Sequence, residues 1–158
     1  MEPSQWLATF RVMHENARRG LLSEIDQKKY ASMRDELARS LMNSQGLILP
    51  EGVSPRRAFR VAHVFPIEIG GVAKTTTREV SCQSFTALVS GTFKEGERVS
   101  FSMNLSRAAD PLSGDAIVRA VVRQNANASR ITCHFEALGE EGLTRLETAL
   151  FDAAISRF

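Results

Sequence analysis

Arg56 and Arg60 stand four residues apart in the run Arg56-Arg57-Ala58-Phe59-Arg60. A guanidinium is a planar fork of donors that meets phosphate oxygens, or the O6/N7 edge of guanine, with two parallel hydrogen bonds. It also stacks on flat rings. Arginines set between a flexible linker and a rigid strand can therefore fold around an anionic ligand. The bland alternative is a solvated basic turn. Other chemistry is thinly represented. There is no Gly-rich phosphate loop with a lysine, no Gly-x-Ser-x-Gly elbow and no His-Glu-x-x-His. His14 falls in a helical stretch. His63 and His134 alternate oppositely to their apolar neighbours, so they belong on an outer surface, where a solvated or singly hydrogen-bonded imidazole needs no metal. Cys82 and Cys133 have no metal-ligand or redox spacing and read as buried, reduced thiols. Glu140-Glu141 opens a helix, where acids favour the macrodipole rather than catalysis. No enzyme signature remains.

The elements around these residues change character near Pro50. Ahead of it the periodicity is helical. Ser4 is the expected cap of a first helix whose face is Trp6, Phe10, Met13 and Ala17, stopped at Gly20. Ser23 and Asp26 form a capping-box-like pair opening a second helix with the stripe Tyr30, Met33, Leu37 and Leu41, ended by Gly46. Two helices joined by a short turn pack as an antiparallel hairpin. Residues 1–49 are thus a helical hairpin, and residues 50–60 a linker broken by Pro50, Gly52, Ser54 and Pro55 that carries the arginine motif. Residues 61–158 are a β-barrel with a C-terminal helix. Its expected strands run from Val61 to Ile69, with Pro66 at an edge or bulge, and through a long region from Thr75 to Leu88 with a break near Ser84. Further strands run from Arg98 to Leu105, with Val99, Phe101, Met103 and Leu105 inward, from Ala116 to Gln124, and around Ile131, Cys133 and Phe135. Pro111, Ser113 and Gly114 read as a turn, as do residues 125–129. A last helix from Glu140 to Phe158, with Leu143, Leu146, Leu150 and Ala154 on one face, covers a barrel end.

Composition bounds the partners. The chain has 158 residues, 43% hydrophobic and 24% charged, ordinary globular usage. A net charge of +2 is weak for a nucleic-acid binder. The first residues lack the apolar run of a signal peptide, and nothing approaches a membrane span, so the expected location is cytoplasmic without membrane insertion.

The order of these features resembles the PilZ family. An Arg-x-x-x-Arg pattern entering a strand matches Arg56 and Arg60. The family's second signature, Asp/Asn-x-Ser-x-x-Gly, falls on Cys82-Gln83-Ser84-Phe85-Thr86-Ala87, followed by Gly96-Glu97-Arg98-Val99, further strands and the helix after Gly139. The resemblance covers residues 56–158. It implies a small antiparallel barrel and a non-enzymatic module of the cyclic di-GMP output class. It implies Arg56, Arg57, Arg60 and Ser84 as the ligand grip, cyclic di-GMP as the only expected ligand, and no cofactor or metal. Two positions depart from the pattern. Cys82 replaces an acceptor for guanine N–H groups, a loss of about 1–3 kcal/mol. Ala87 replaces a permissive glycine, about 1–2 kcal/mol more. Weakened or lost cyclic di-GMP binding and action through a protein partner, for example in motility regulation, is the leading expectation. The alternatives are a functional cyclic di-GMP receptor using Arg56, Arg60 and Ser84, and a small barrel binding single-stranded nucleic acid. The last needs outward stacking aromatics, whereas Phe101 and Phe135 alternate as core. The hairpin is a cap on the barrel, a homodimer surface or a docking arm for a protein, and sequence leaves these open.

Overall fold

The computed structural model describes residues 2–49, 51–71, 73–107 and 109–157; Pro50 and Phe158, named above as a linker breaker and a helix end, lie outside them. The chain forms two compact units, Met1–Phe59 and Arg60–Phe158.

The first unit is built on α1 (Pro3–Arg18) and α2 (Glu24–Ser44). α1 begins two residues earlier than expected: Pro3 occupies its first turn, where a missing N–H costs nothing, and Ser4 lies inside the helix rather than capping it. Phe10, Met13 and His14 are its buried residues. Trp6 stacks on Phe10 with ring centroids 5.5 Å apart. His14 Nδ1 meets the Tyr30 hydroxyl across the hairpin at 2.6 Å. α2 is capped as expected, the Asp26 N–H donating to Ser23 Oγ at 3.2 Å. Met33, Leu37, Ala38 and Met42 are buried, whereas Tyr30 and Leu41 are half-buried, so the stripe rotates toward Met42 in the last turn. Gly46, at φ +67, lets the chain turn back so that the Leu47 N–H reaches the Met42 carbonyl at 3.0 Å. The linker is more ordered than its composition suggests. Pro55–Arg57 form a 3-10 turn, and Pro55, Ala58 and Phe59 are buried, because the apolar pair at 58 and 59 can be withdrawn from water.

The second unit is a closed antiparallel barrel of six strands: β1 (Pro66–Ile69), β2 (Ala73–Val80), β3 (Ser84–Val89), β4 (Arg98–Met103), β5 (Leu112–Asn125) and β6 (Ala128–Glu136). The spatial order is β1-β2-β3-β6-β5-β4, with β1 pairing β4 to close it. The strand expected from Val61 is shorter. Val61 makes only a bridge to Val80. Between them Thr77, fully buried, substitutes for a ladder: its hydroxyl accepts from the Phe65 N–H at 2.9 Å and donates to the His63 carbonyl at 2.8 Å. The long region from Thr75 divides into β2 and β3 at a turn of Ser81, Cys82 and Gln83, three residues earlier than a break at Ser84. The expected turn at Pro111, Ser113 and Gly114 is instead the start of β5. Gly114 pairs with Phe101, and a Cβ there would sit 3.4 Å from that ring, so the glycine gives room rather than a bend. Val99, Phe101 and Met103 face inward as expected, but Leu105 lies past the strand and is half-buried.

Phe85, Phe101 and Phe135 meet in the interior, with centroid separations of 5.9, 5.4 and 5.2 Å. α3 (Gly139–Ile155) buries Leu146, Leu150 and Ala154 as expected, with Phe151 and Ala153 added and Leu143 only half-buried. Its first turns lie beside the start of β5: a Cβ on Gly142 would stand 3.4 Å from Leu112, and Arg145 donates to the Asp110 carbonyl.

Candidate functional site

The β2–β3 turn fixes which way the second motif points. Ser81 is buried, and its hydroxyl accepts from the N–H groups of Gln83 and Ser84, each at 3.1 Å, while its own N–H donates to the Ser84 carbonyl at 2.8 Å. This is a serine-closed turn of the kind that an aspartate also makes. Sequence reading passed over Ser81 because it stands one position before the expected acidic residue; its signal was a hydroxyl three residues ahead of the strand. The closed turn includes Cys82, which is buried at 4% exposed. β3 then alternates, with Phe85, Ala87 and Val89 inside and Ser84, Thr86 and Leu88 outside. Of the three motif positions, Cys82 and Ala87 are buried, and Ser84 is half-buried on the outer wall of β3. Ala87 is fully buried opposite Thr77, and its φ is not in the left-handed region, so nothing at this position requires glycine.

The arginines divide between the units. Arg56 and Arg57 belong to the first and are half-buried. Arg60 opens the second, just before the Val61–Val80 bridge, and donates to Glu79 Oε1 at 3.2 Å. Both side chains are near half exposed, so water screens the pair. Glu79 pairs with Thr86 and Ser84 with His134, which brings Arg60 and Ser84 to the same outward wall.

Two imidazoles of this unit are perturbed. Desolvation lowers the pKa of His63, and the Arg157 charge adds to it. Desolvation also lowers that of His134, followed by the charges of Arg119 and Arg60. When the folded pKa lies below the unfolded value, the unfolded chain binds more protons. The stability these groups contribute is present above the ordinary 6.5 and is lost as pH falls through the folded values. The melting temperature is expected to drop between about pH 7 and about pH 5, with a shallower slope in a His63→Gln, His134→Gln variant. Identical slopes in the two proteins would show that these histidines do not couple to folding. Burial pushes the Cys133 thiol up to about 12, which keeps it protonated and unreactive.

Among the described residues no group of three or more acids, histidines or cysteines could hold a metal ion. No described helix is long and apolar enough to cross a membrane. The Phe85 and Phe101 rings are buried and the half-buried Phe135 packs on both, so the three form no open platform for stacked bases.

No protein-family model matches the chain, and no curated protein sequence matches it. Solved structures do. The inhibitor of motility MotI/DgrA of Bacillus subtilis superposes with a TM-score of 0.55 at 13% identity, over 63% of this chain and 50% of that one. The PilZ domain of YcgR from Escherichia coli, solved with c-di-GMP, gives 0.51 at 12% identity, over 63% of this chain and 91% of that one. A second structure of YcgR in complex with c-di-GMP gives 0.54 at 16%, over 66% and 48%. The chain thus spans about half the length of the motility inhibitor and of this second YcgR chain. At these identities the likeness concerns architecture, and the architecture of this chain is that of a PilZ domain.

Proposed function

We propose that this chain is a non-enzymatic, cytoplasmic signalling adaptor of the cyclic di-GMP output class, with a weakened or lost nucleotide grip, acting through a protein partner in a process such as motility. The fold supports the class, since structures sharing it include a motility inhibitor and a c-di-GMP complex. The observation that supports the weakened grip is the burial of the second motif: Cys82 and Ala87 are withdrawn from water, leaving Ser84 as its only partly accessible member. Arg60 is in addition engaged by Glu79, which a phosphate must displace.

Calorimetric titration of the whole chain with cyclic di-GMP tests this. No saturable heat is expected in the micromolar range. Saturable micromolar binding that disappears in a folded Arg60→Ala variant would overturn the reading. It would install instead the second one, a working receptor, which is favoured by the position of Arg60 and Ser84 on one wall.

A further inference from the structure

Residues 116–135 contain Arg119, Arg123 and Arg130 and no aspartate or glutamate. The register decides which of these share a surface. Val118 pairs with Cys133 and Val121 with Ile131, four side chains of which Val118, Cys133 and Ile131 are fully buried. Ala120 opposite Thr132, and Val122 opposite Arg130, therefore point outward, as do Ile117 and His134. A bulge between Val118 and Ala120 adds Arg119 to the same side, since two residues there oppose one on β6. Arg123 pairs with Ser129 and is turned the other way, donating to the carbonyls of Asn125 and Ala126. β3 extends the outward sheet with Ser84, Thr86 and Leu88 beside His134, Thr132 and Arg130.

The result is a three-stranded wall whose stretch from Ile117 to His134 carries Arg119, Arg130 and His134 without a carboxylate; the strands' acids, Asp115 and Glu136, lie opposite each other at its far end, where Glu136 meets Arg98. Among the described residues neither Arg119 nor Arg130 has an ion-pair partner, unlike Arg60 with Glu79 and Arg98 with Glu136. Leu88 and Val122 flank Arg130 on either side, and Val122 is 45% exposed. Like charges gathered without acids do not stabilise a fold; they are complementary to an acidic surface. The flanking aliphatic side chains add apolar contact, and the lack of outward aromatics on this wall disfavours nucleic acid.

We propose that the outward face of β3, β6 and β5 is a docking surface for an acidic, leucine-bearing segment of a partner protein. This rests on the adaptor reading above and names the chemistry of its partner. The probe is a fluorescein-labelled peptide that alternates glutamate pairs with leucine, with a glutamine-for-glutamate counterpart, read by fluorescence anisotropy. The whole chain is expected to bind the acidic peptide, more weakly as salt rises, and not its neutral counterpart. Arg119→Glu with Arg130→Glu should weaken binding at least about tenfold, because two attractive contacts become repulsive. Lys28→Glu with Lys29→Glu, the same charge change on exposed positions of α2, should leave it unchanged. Circular dichroism establishes that each variant is folded. If the glutamate pair is not, Arg119→Gln with Arg130→Gln decides, with a smaller loss expected. The proposal fails if the parent does not bind, if the neutral peptide binds as well, or if the arginine variants bind like the parent. It also fails if a single-stranded oligonucleotide displaces the peptide at lower concentration, or if sedimentation shows that the arginine pair instead holds two copies of this chain together. The cyclic di-GMP titration reads Arg60 and Ser84, and Ser84 also lies on this face; tight nucleotide binding that survives Arg119→Glu with Arg130→Glu would remove the weakened-grip reading and leave this surface standing.

Discussion

Cys82→Asp combined with Ala87→Gly, which rebuilds the family pattern letter by letter, is expected to destabilise the protein without improving its affinity for cyclic di-GMP. Cys82 is 4% exposed at the base of the β2–β3 turn. A carboxylate introduced there is a charge withdrawn from water, at a cost of about 3 kcal/mol or more unless it protonates. Ala87 is fully buried on β3, so glycine adds a small cavity and a looser backbone, about 1 kcal/mol. Glycine at position 87 adds no acceptor, and a carboxylate at position 82 starts from a place withdrawn from water. Differential scanning calorimetry should show a lower melting temperature, and titration no gain in binding. A double variant that melts with the parent and binds the nucleotide tightly would mean that the turn can present residue 82 outward.

Phe85→Ala is expected to cost about 3–5 kcal/mol. The ring is fully buried and lies 5.9 Å from Phe101 and 5.4 Å from Phe135. Its loss removes area burial and also two tilted aromatic contacts of about 0.5–1.5 kcal/mol each. Domains of this size are stable by only about 5–15 kcal/mol, so the variant stands near the edge of folding. Urea titration should give a much lower midpoint with an unchanged slope. A shift worth less than about 1 kcal/mol would place these rings outside the barrel's cooperative core.

The sequence was readable where one residue type does one job. The helices, the cap at Ser23 and the alternation of Val99, Phe101 and Met103 follow from period and chemistry alone. It was less readable where side chains replace backbone. Val61 to Phe65 has strand composition, yet the Thr77 hydroxyl takes the hydrogen bonds a ladder would have made. Gly114 looks like a turn residue and is instead a space for the Phe101 ring. In the candidate site the arginines stand out by their spacing. The conformation of the second motif does not, because a side chain one residue away, Ser81, closes the turn.

The β1–β4 pairing that closes the barrel also limits how it can be recognised. Strand addition, in which a partner's extended peptide zips onto an open sheet edge by main-chain bonds, needs an unpaired strand. Closure removes such an edge around most of the sheet. β5 outruns β4 beyond Val118, but the bulges next to Arg119 and before Asn125 break up that stretch, which blunts it as a template. A molecule that reads this barrel must therefore do so through side chains, and its specificity will follow charge and shape rather than β-propensity.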